Sequence, residues 1–266
     1  MQLLFIRHGQ SQNNRLYDQT GGYAGRQEDA DLTETGHAQA KVVAAWLRDG
    51  DGGAQHVSIT RNADTPRPAV RAGDAPQGAG AYGITHLYTS LMRRAVGTAG
   101  AIAEALGLAP IGLPDAHETG GIYMDDPHTG AKIGRPGLGR SELTARFPRL
   151  VLPEWLDLST SSGHEAGWWR SRPMETDEER YPRAQRVLQF LLSAHGPDDR
   201  VALVSHGDFF NYLVAAALRV PRPEQAWIIM NNCAASRLDF TGNPNAPFVD
   251  IAFVNRSHYM PAALVS

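Results

Sequence analysis

His8 stands at the end of an apolar run, Leu3-Leu4-Phe5-Ile6, between Arg7 and Gly9. A neutral imidazole is a competent nucleophile toward phosphorus, and its attack leaves a phosphohistidine. Its other ring nitrogen needs an acceptor to fix the tautomer. Arg7 supplies a forked donor matched to phosphate oxygens, and Gly9 lets the backbone approach a ligand closely. The same pattern returns late in the chain, where Val201-Ala202-Leu203-Val204-Ser205 ends in His206-Gly207. A second histidine beside a transferred phosphoryl group serves best protonated, as a donor to its oxygens. Arg94, in Ser90-Leu91-Met92-Arg93-Arg94, falls in the first turn of a predicted helix. A helix N-terminus already attracts anions, so a cation there hints at a bound anion; Arg93 reads as its solvated neighbour. The leaving oxygen also needs a proton, which a carboxylic acid with a raised pKa can supply. Glu118, before Thr119-Gly120-Gly121, and Asp208, beside the second histidine, both qualify, and the residues alone do not choose between them.

Such groups need a scaffold that gathers strand ends, and in α/β folds ligands collect at the C-terminal ends of parallel strands. The first apolar run is too short for a membrane span and predicts a buried strand over 2–6. Residues 9–31 read as a polar loop. Thr33 then caps a helix whose core face is Ala38, Val42, Ala45 and Trp46. The Gly- and Pro-rich stretch 50–83 reads as a surface excursion around a small hairpin at Val57-Ser58-Ile59-Thr60. A strand over 84–89 follows, then a helix from an N-cap at Ser90 to Leu106, stopped by Gly107. Its buried face is Ala95, Ala99, Ile102, Ala103 and Leu106. An irregular stretch over 119–173 carries Trp155, Trp168 and Trp169. Thr176-Asp177-Glu178-Glu179 fits a capping box for a helix through Ala194. A strand over 201–205 and a helix over 207–218 make another β-to-α step. Segments 236–240 and 248–254 alternate like a hairpin around Thr241-Gly242-Asn243-Pro244-Asn245. This alternation defines an α/β class with a mainly parallel sheet. The chemical candidates run from residue 7 to 206 and both irregular stretches fall inside that span. The chain therefore reads as one domain over 1–266 with insertions at about 50–83 and 119–173.

Bulk properties narrow the partners. Hydrophobic residues at 42% and charged residues at 20% fit a globular chain with a sizeable core. A net charge of −3 gives no global positive field toward nucleic acid or membrane, so an anionic substrate needs a local arginine cluster. Cys233 stands alone, so no internal disulfide forms, and no His/Cys/Asp set shows zinc spacing. The expected metal and cofactor content is none. Histidines such as His86, His117, His195 and His258 read as ordinary strand or surface residues. The N-terminus has no basic n-region or cleavage site, which with the single cysteine points to a cytoplasmic protein. The tryptophan-rich insertion leaves room for a homo-oligomer.

Taken together, these islands resemble the histidine phosphatase superfamily, in its phosphoglycerate mutase-like branch. The resemblance rests on Arg7-His8-Gly9-Gln10-Ser11 with Asn14, on residues 31–40 and 90–99, on Glu118, and on Ser205-His206-Gly207. Asn231-Asn232-Cys233 and Asn255-Arg256-Ser257-His258 match the family's closing pattern. It implies a three-layer α/β/α sandwich and a phosphatase that hydrolyses a small phosphomonoester. His8 would be the phosphorylated nucleophile. Arg7, Arg94 and His206 would bind the phosphoryl group, Glu118 would match the proton donor, and Gly9, Asn14, Thr20, Gly21 and Gly207 would line the substrate. Gln10-Ser11 and the Gly207 between His206 and Asp208 depart from the phytase-like pattern. Asp208 stands where mutases and small phosphatases carry glycine. A mutase of the same build must keep water from its phosphoenzyme, a task that Trp168, Trp169, Arg170 and Arg172 could serve as a lid; packing of the insertion onto the body is the simpler reading. A non-catalytic binding module is the third reading, against which stands the presence of every chemical group.

Overall fold

A computed structural model describes residues 1–51, 78–158, 166–169, 172–221 and 226–266. The hairpin expected at 57–60, His56, His164 and Arg170 lie outside the described residues. The core is a six-stranded sheet in the order β3-β2-β6-β1-β7-β8. Its strands are β1 (Gln2–Arg7), β2 (His86–Thr89), β3 (Pro110–Gly112), β6 (Arg200–Ser205), β7 (Ala235–Thr241) and β8 (Phe248–Arg256). β1, β2, β3 and β6 run parallel, while β7 and β8 pair antiparallel at one side.

Helices cover both faces, which is why Leu3, Leu4, Phe5 and Ile6 of β1 are apolar in succession rather than alternating. Leu3 and Phe5 pack with α5 (Asp177–Ala194) and α6 (Gly207–Leu218). Leu4 and Ile6 pack with α2 (Glu34–Asp49) and α3 (Arg93–Leu106) on the other side. The result is a three-layer α/β/α sandwich. The stretch between β3 and α5 brings Ile122, Leu143, Trp168 and Trp169 into a third apolar cluster with Leu91 and Met92 from before α3. That stretch is more ordered than its composition suggested. It holds a short hairpin of β4 (Tyr123–Asp125) and β5 (Lys132–Gly134), then α4 (Arg140–Arg146).

Three local expectations need correction. Residues 9–31 are not all loop, because α1 spans Gln12–Thr20. Its face is mostly polar, so hydrophobic periodicity misses it; a capping box between Ser11 and Asn14 starts it, and Gly21 at φ 69° stops it. The buried face of α2 is Gly36, Ala40, Val43, Ala44 and Leu47 with Trp46, one position off the predicted stripe. Gly36 sets that rotation. A β-carbon there would lie 2.1 Å from the Gln10 carbonyl oxygen, so backbone meets backbone and the helix turns accordingly. Finally, β2 begins at His86 and α3 at Arg93, with Met92 rather than Ser90 at the N-cap. The Ser90 hydroxyl is engaged elsewhere, as shown next.

Candidate active site

β1 and β6 are neighbours in register, from Gln2 opposite Arg200 to Arg7 opposite Ser205. The residues that follow each strand therefore emerge side by side. The His8 and His206 rings lie 5.0 Å apart, centre to centre, in an edge-on arrangement. Both are buried. The backbone of His8 is held by Ser205, Asn232 and Cys233: its N–H donates to Ser205 at 2.9 Å, and its carbonyl accepts from Asn232 Nδ2 at 2.9 Å.

The His8 tautomer follows from its contacts. Nδ1 lies 2.7 Å from the Gly9 carbonyl, which can only accept, so Nδ1 carries the proton. Nε2 keeps its lone pair and receives a hydrogen bond from Arg94 Nε at 3.0 Å. Burial, with Arg94 and Arg7 nearby, holds the His8 pKa well below the ordinary value. The result is a neutral imidazole with a usable lone pair beside a guanidinium.

His206 is oriented by Ser90. Met92 N donates to Ser90 Oγ at 3.2 Å, so the hydroxyl proton is available to His206 Nε2, 2.9 Å away. That leaves Nδ1–H as the outward donor, and this buried atom has no hydrogen-bond partner; neither does Arg7 Nε. The expectation of a protonated His206 is corrected for the free protein. Burial first, then Arg94 and His8, hold its pKa well below the usual histidine range. The charge of an arriving dianion would favour the protonated ring.

Arg94 has the anion that its place in a first helical turn demanded, and the sequence did not reveal it. Asp29 accepts from Arg93 N at 3.1 Å, so it caps α3 from a distant loop, and its carboxylate lies 3.8 Å from Arg94 Nη1. Burial pushes the Asp29 carboxyl up to about 6. Arg93 is not a solvated bystander: its guanidinium bonds Asp31 and the Asp29 carbonyl.

Glu118 reaches the same region from the loop after β3. Its carboxylate accepts from Phe209 N and Thr119 N, each at 2.9 Å, and from Asp208 N at 3.3 Å. It thus sits on the N-terminal turn of α6, directly after His206. Burial and the neighbouring Asp208 charge push its pKa up to about 7 against the pull of those N–H groups and Arg94. Asp208 itself is exposed, with Oδ2 3.4 Å from Thr119 Oγ1. Burial thus leaves Glu118 as a carboxyl group able to hold a proton near neutrality.

What holds the Glu118 loop was invisible in the sequence. Arg183 of α5 and Glu175 form a fully buried ion pair, with Nη2 to Oε2 at 2.7 Å. Arg183 Nη1 also donates to the carbonyls of Asp115 and His117, at 2.7 and 2.9 Å. Glu175 accepts from Gly120 N at 3.3 Å and donates its own N–H to the Gly120 carbonyl at 3.1 Å. Both flanks of Glu118 are gripped by one pair.

The remaining predicted residues divide. Gly207 packs beside Arg7: a β-carbon on it would meet Arg7 Nε at 3.5 Å. At Gly9 the close approach is to protein rather than to a ligand, since a β-carbon would lie 2.5 Å from the Gly36 carbonyl oxygen. Asn14 Oδ1 accepts from Ser11 N at 3.0 Å and lies 3.5 Å from Asn232 Nδ2, which ties it to the support of His8. Thr20 and Gly21 are exposed at the end of α1, where Thr20 Oγ1 donates to the Leu16 carbonyl and Gly21 N to the Tyr17 carbonyl. Trp168 and Trp169 are buried, with a Gly121 β-carbon position only 2.1 Å from the Trp169 ring. They pack the segment onto the body.

Known proteins agree with this geometry. The family model described as "Histidine phosphatase superfamily (branch 1)" matches residues 3–77 and 150–247. A "Probable phosphoglycerate mutase GpmB" of Cronobacter sakazakii is 26% identical over 253 residues, covering 92% of this chain and 87% of that protein. The fold is shared with a mycobacterial glucosyl-3-phosphoglycerate phosphatase at TM-score 0.54 and 19% identity, covering 96% and 99% of the two chains. It is also shared with the Bombix mori ecdysone phosphate phosphatase at TM-score 0.55 and 16% identity, covering 94% and 91%. With a family model spanning most of its length and two strand-end histidines meeting edge to ring, the chain belongs to branch 1 of the histidine phosphatase superfamily.

Proposed function

We propose that this chain is a phosphomonoesterase that works through a phosphohistidine on His8. The observation that carries this reading is the His8 tautomer: Nδ1 committed to the Gly9 carbonyl, and Nε2 unprotonated, its lone pair accepting from Arg94 Nε until a phosphoryl group engages that guanidinium. The phosphoryl group of a small substrate docks against Arg7, Arg94 and the Nδ1–H of His206. The His8 Nε2 lone pair forms an N–P bond as the P–O bond to the leaving group breaks. Glu118 gives its proton to the departing oxygen. The resulting carboxylate then takes a proton from water, whose oxygen displaces His8 and releases inorganic phosphate. No step calls for a metal or organic cofactor. A single catalytic domain in the cytoplasm is the setting we propose, with the half-exposed face around Trp155 available to a second copy. Among the described residues no helix is long and apolar enough to cross a membrane.

Phosphoryl-transfer isomerisation is the second reading, favoured by the names of the curated relatives. Two features weigh against it. The tryptophans offered as a lid are packed in a core cluster, and Asp208 puts an exposed carboxylate next to Glu118, where an isomerase would have to admit a doubly anionic substrate. The test is a screen over sugar phosphates, phosphoglycerates, nucleotides and phosphopeptides, run beside His8→Ala. Phosphate release from at least one class, lost in the variant, is expected. Positional transfer of phosphate on phosphoglycerate without release would establish the isomerase, and equal turnover by both proteins would dismiss the mechanism.

A further inference from the structure

The opposite end of the parallel strands from the histidines carries a second cluster of chemistry-bearing side chains. His86 opens β2, His195 ends α5, and Asp199 immediately precedes β6. Parallel pairing of β2 with β6 sets His86 opposite Val201 and so brings the three together. One ligand atom from each lies within 4.8 Å of the others. We propose that His86, His195 and Asp199 bind a divalent transition-metal ion of the zinc type, fastening the start of β2 to the turn between α5 and β6.

The donor set suits such an ion: two imidazoles and one carboxylate, with His86 and Asp199 partly open to solvent on a side where water can complete the shell. The spacing is close to what coordination needs. His195 Nδ1 lies 3.4 Å from Asp199 Oδ2, and His86 Nδ1 lies 3.8 Å from Asp199 Oδ1. Neighbouring donors around zinc, at bond lengths near 2.0–2.2 Å, stand roughly 3.0–3.5 Å apart. Only the half-exposed His86 ring has to close in, by about 1 Å on that geometry.

The surroundings resemble the outer layer of a metal site more than a simple hydrogen-bond knot. The His195 side chain is buried, and its Nε2 lies 3.1 Å from the Tyr88 hydroxyl, the kind of partner that orients a ligating imidazole through its far nitrogen. The Asp199 carboxylate is steadied by Gly196 N at 2.9 Å. The His86 ring centre lies 4.3 Å from that of His195, tilted by 59°, and its Nδ1 is 2.9 Å from Thr85 Oγ1 and 3.8 Å from the same carboxylate. Two imidazoles facing one carboxylate form a ligand set. β2 and β6 span 4 and 6 residues between this cluster and the catalytic end, so a strand rise of about 3.3 Å separates the two sites by roughly 13–20 Å. The ion is therefore structural.

The test uses untagged, chelator-treated protein. Calorimetric titration with zinc ion and visible absorption with cobalt(II) should each report one equivalent, accompanied by a higher melting temperature. His86→Ala and Asp199→Asn should each weaken binding by roughly tenfold or more, with unchanged circular dichroism and unchanged hydrolysis of p-nitrophenyl phosphate. His8→Ala should bind as the wild type does. Absence of binding by the wild type, binding unaffected in both ligand variants, or binding lost in His8→Ala would each overturn the assignment.

Discussion

His8 and His206 owe their positions to a sheet, whereas Glu118 owes its position to two side chains. The histidines follow adjacent strands whose register is fixed over six residue pairs, so their placement is as rigid as the backbone ladder itself. The Glu118 loop lies beyond the last parallel strand, and its neighbours Asp115, His117 and Gly120 are tied down by the Arg183–Glu175 pair instead. The contrast shows one pocket built with two kinds of support. Spread over many hydrogen bonds, the first tolerates local damage; concentrated in one buried guanidinium, the second does not.

The largest effect should come from the strand half. His8→Ala removes the covalent route and should lower kcat/KM on the order of 10⁴-fold or more, with no phosphohistidine trapped by alkaline quenching. A stable fold is expected, since the β1–β6 ladder remains. Retention of labelled phosphoenzyme in that variant would contradict the role given to His8.

The loop half should fail in stability first. Arg183→Ala leaves Glu175 charged and buried and should cost about 3–5 kcal/mol, because a lone interior charge has lost its partner. Urea titration measures it. Replacing both members with methionine should recover most of that loss. If the double variant is stable yet slow on alkyl phosphates, the pair positions Glu118; if it is stable and fully active, the loop needs no such grip.

Glu118→Gln should reduce hydrolysis of alkyl phosphates by roughly 10²–10⁴-fold, the usual worth of a general acid. Much less should be lost with p-nitrophenyl phosphate, whose leaving group departs without a proton. The pH profile follows from the same residue. A proton donor raised to about 7 is competent below that value and is lost as pH rises through it, so the phosphorylation rate should fall on the basic side near 7. Because His8 is held well below 6.5, the acidic limb should lie well under that value. In Glu118→Gln the basic limb should vanish while the acidic one stays.

The smallest effect belongs to a cap near the histidines. Ser11→Ala breaks the box that starts α1 and should cost about 1 kcal/mol in thermal or urea unfolding, with little change in turnover.

Legibility in the sequence tracked the same division. The strand-borne histidines were readable because a doubly covered parallel strand is apolar throughout and ends abruptly where chemistry begins. Capping residues Thr33 and Thr176, and the glycine stop at Gly107, set three helix ends correctly because those signals are local. Nothing local marks Asp29 as the cap of a helix that begins at residue 93, or Arg183 as a buried charge within a charged helix. Both depend on pairing between distant segments. The same holds for His86 and His195, which read as ordinary until the β2–β6 register joins them. The rotation of α2 was missed by one position because a glycine contact, not an apolar stripe, fixes it.

The position of β1 carries a consequence for how the protein is made. It is synthesised long before its partners, since both of its flanking strands, β6 and β7, come from residues 200–241. At ribosomal rates of about 5–20 residues per second, its two open edges wait roughly ten to fifty seconds for company. During that interval the apolar run Leu3–Ile6 must be shielded, by chaperones or by the tunnel-proximal chain, and a truncated product ending before β6 would leave it exposed for good. Catalytic competence is thereby withheld until β6 has been made.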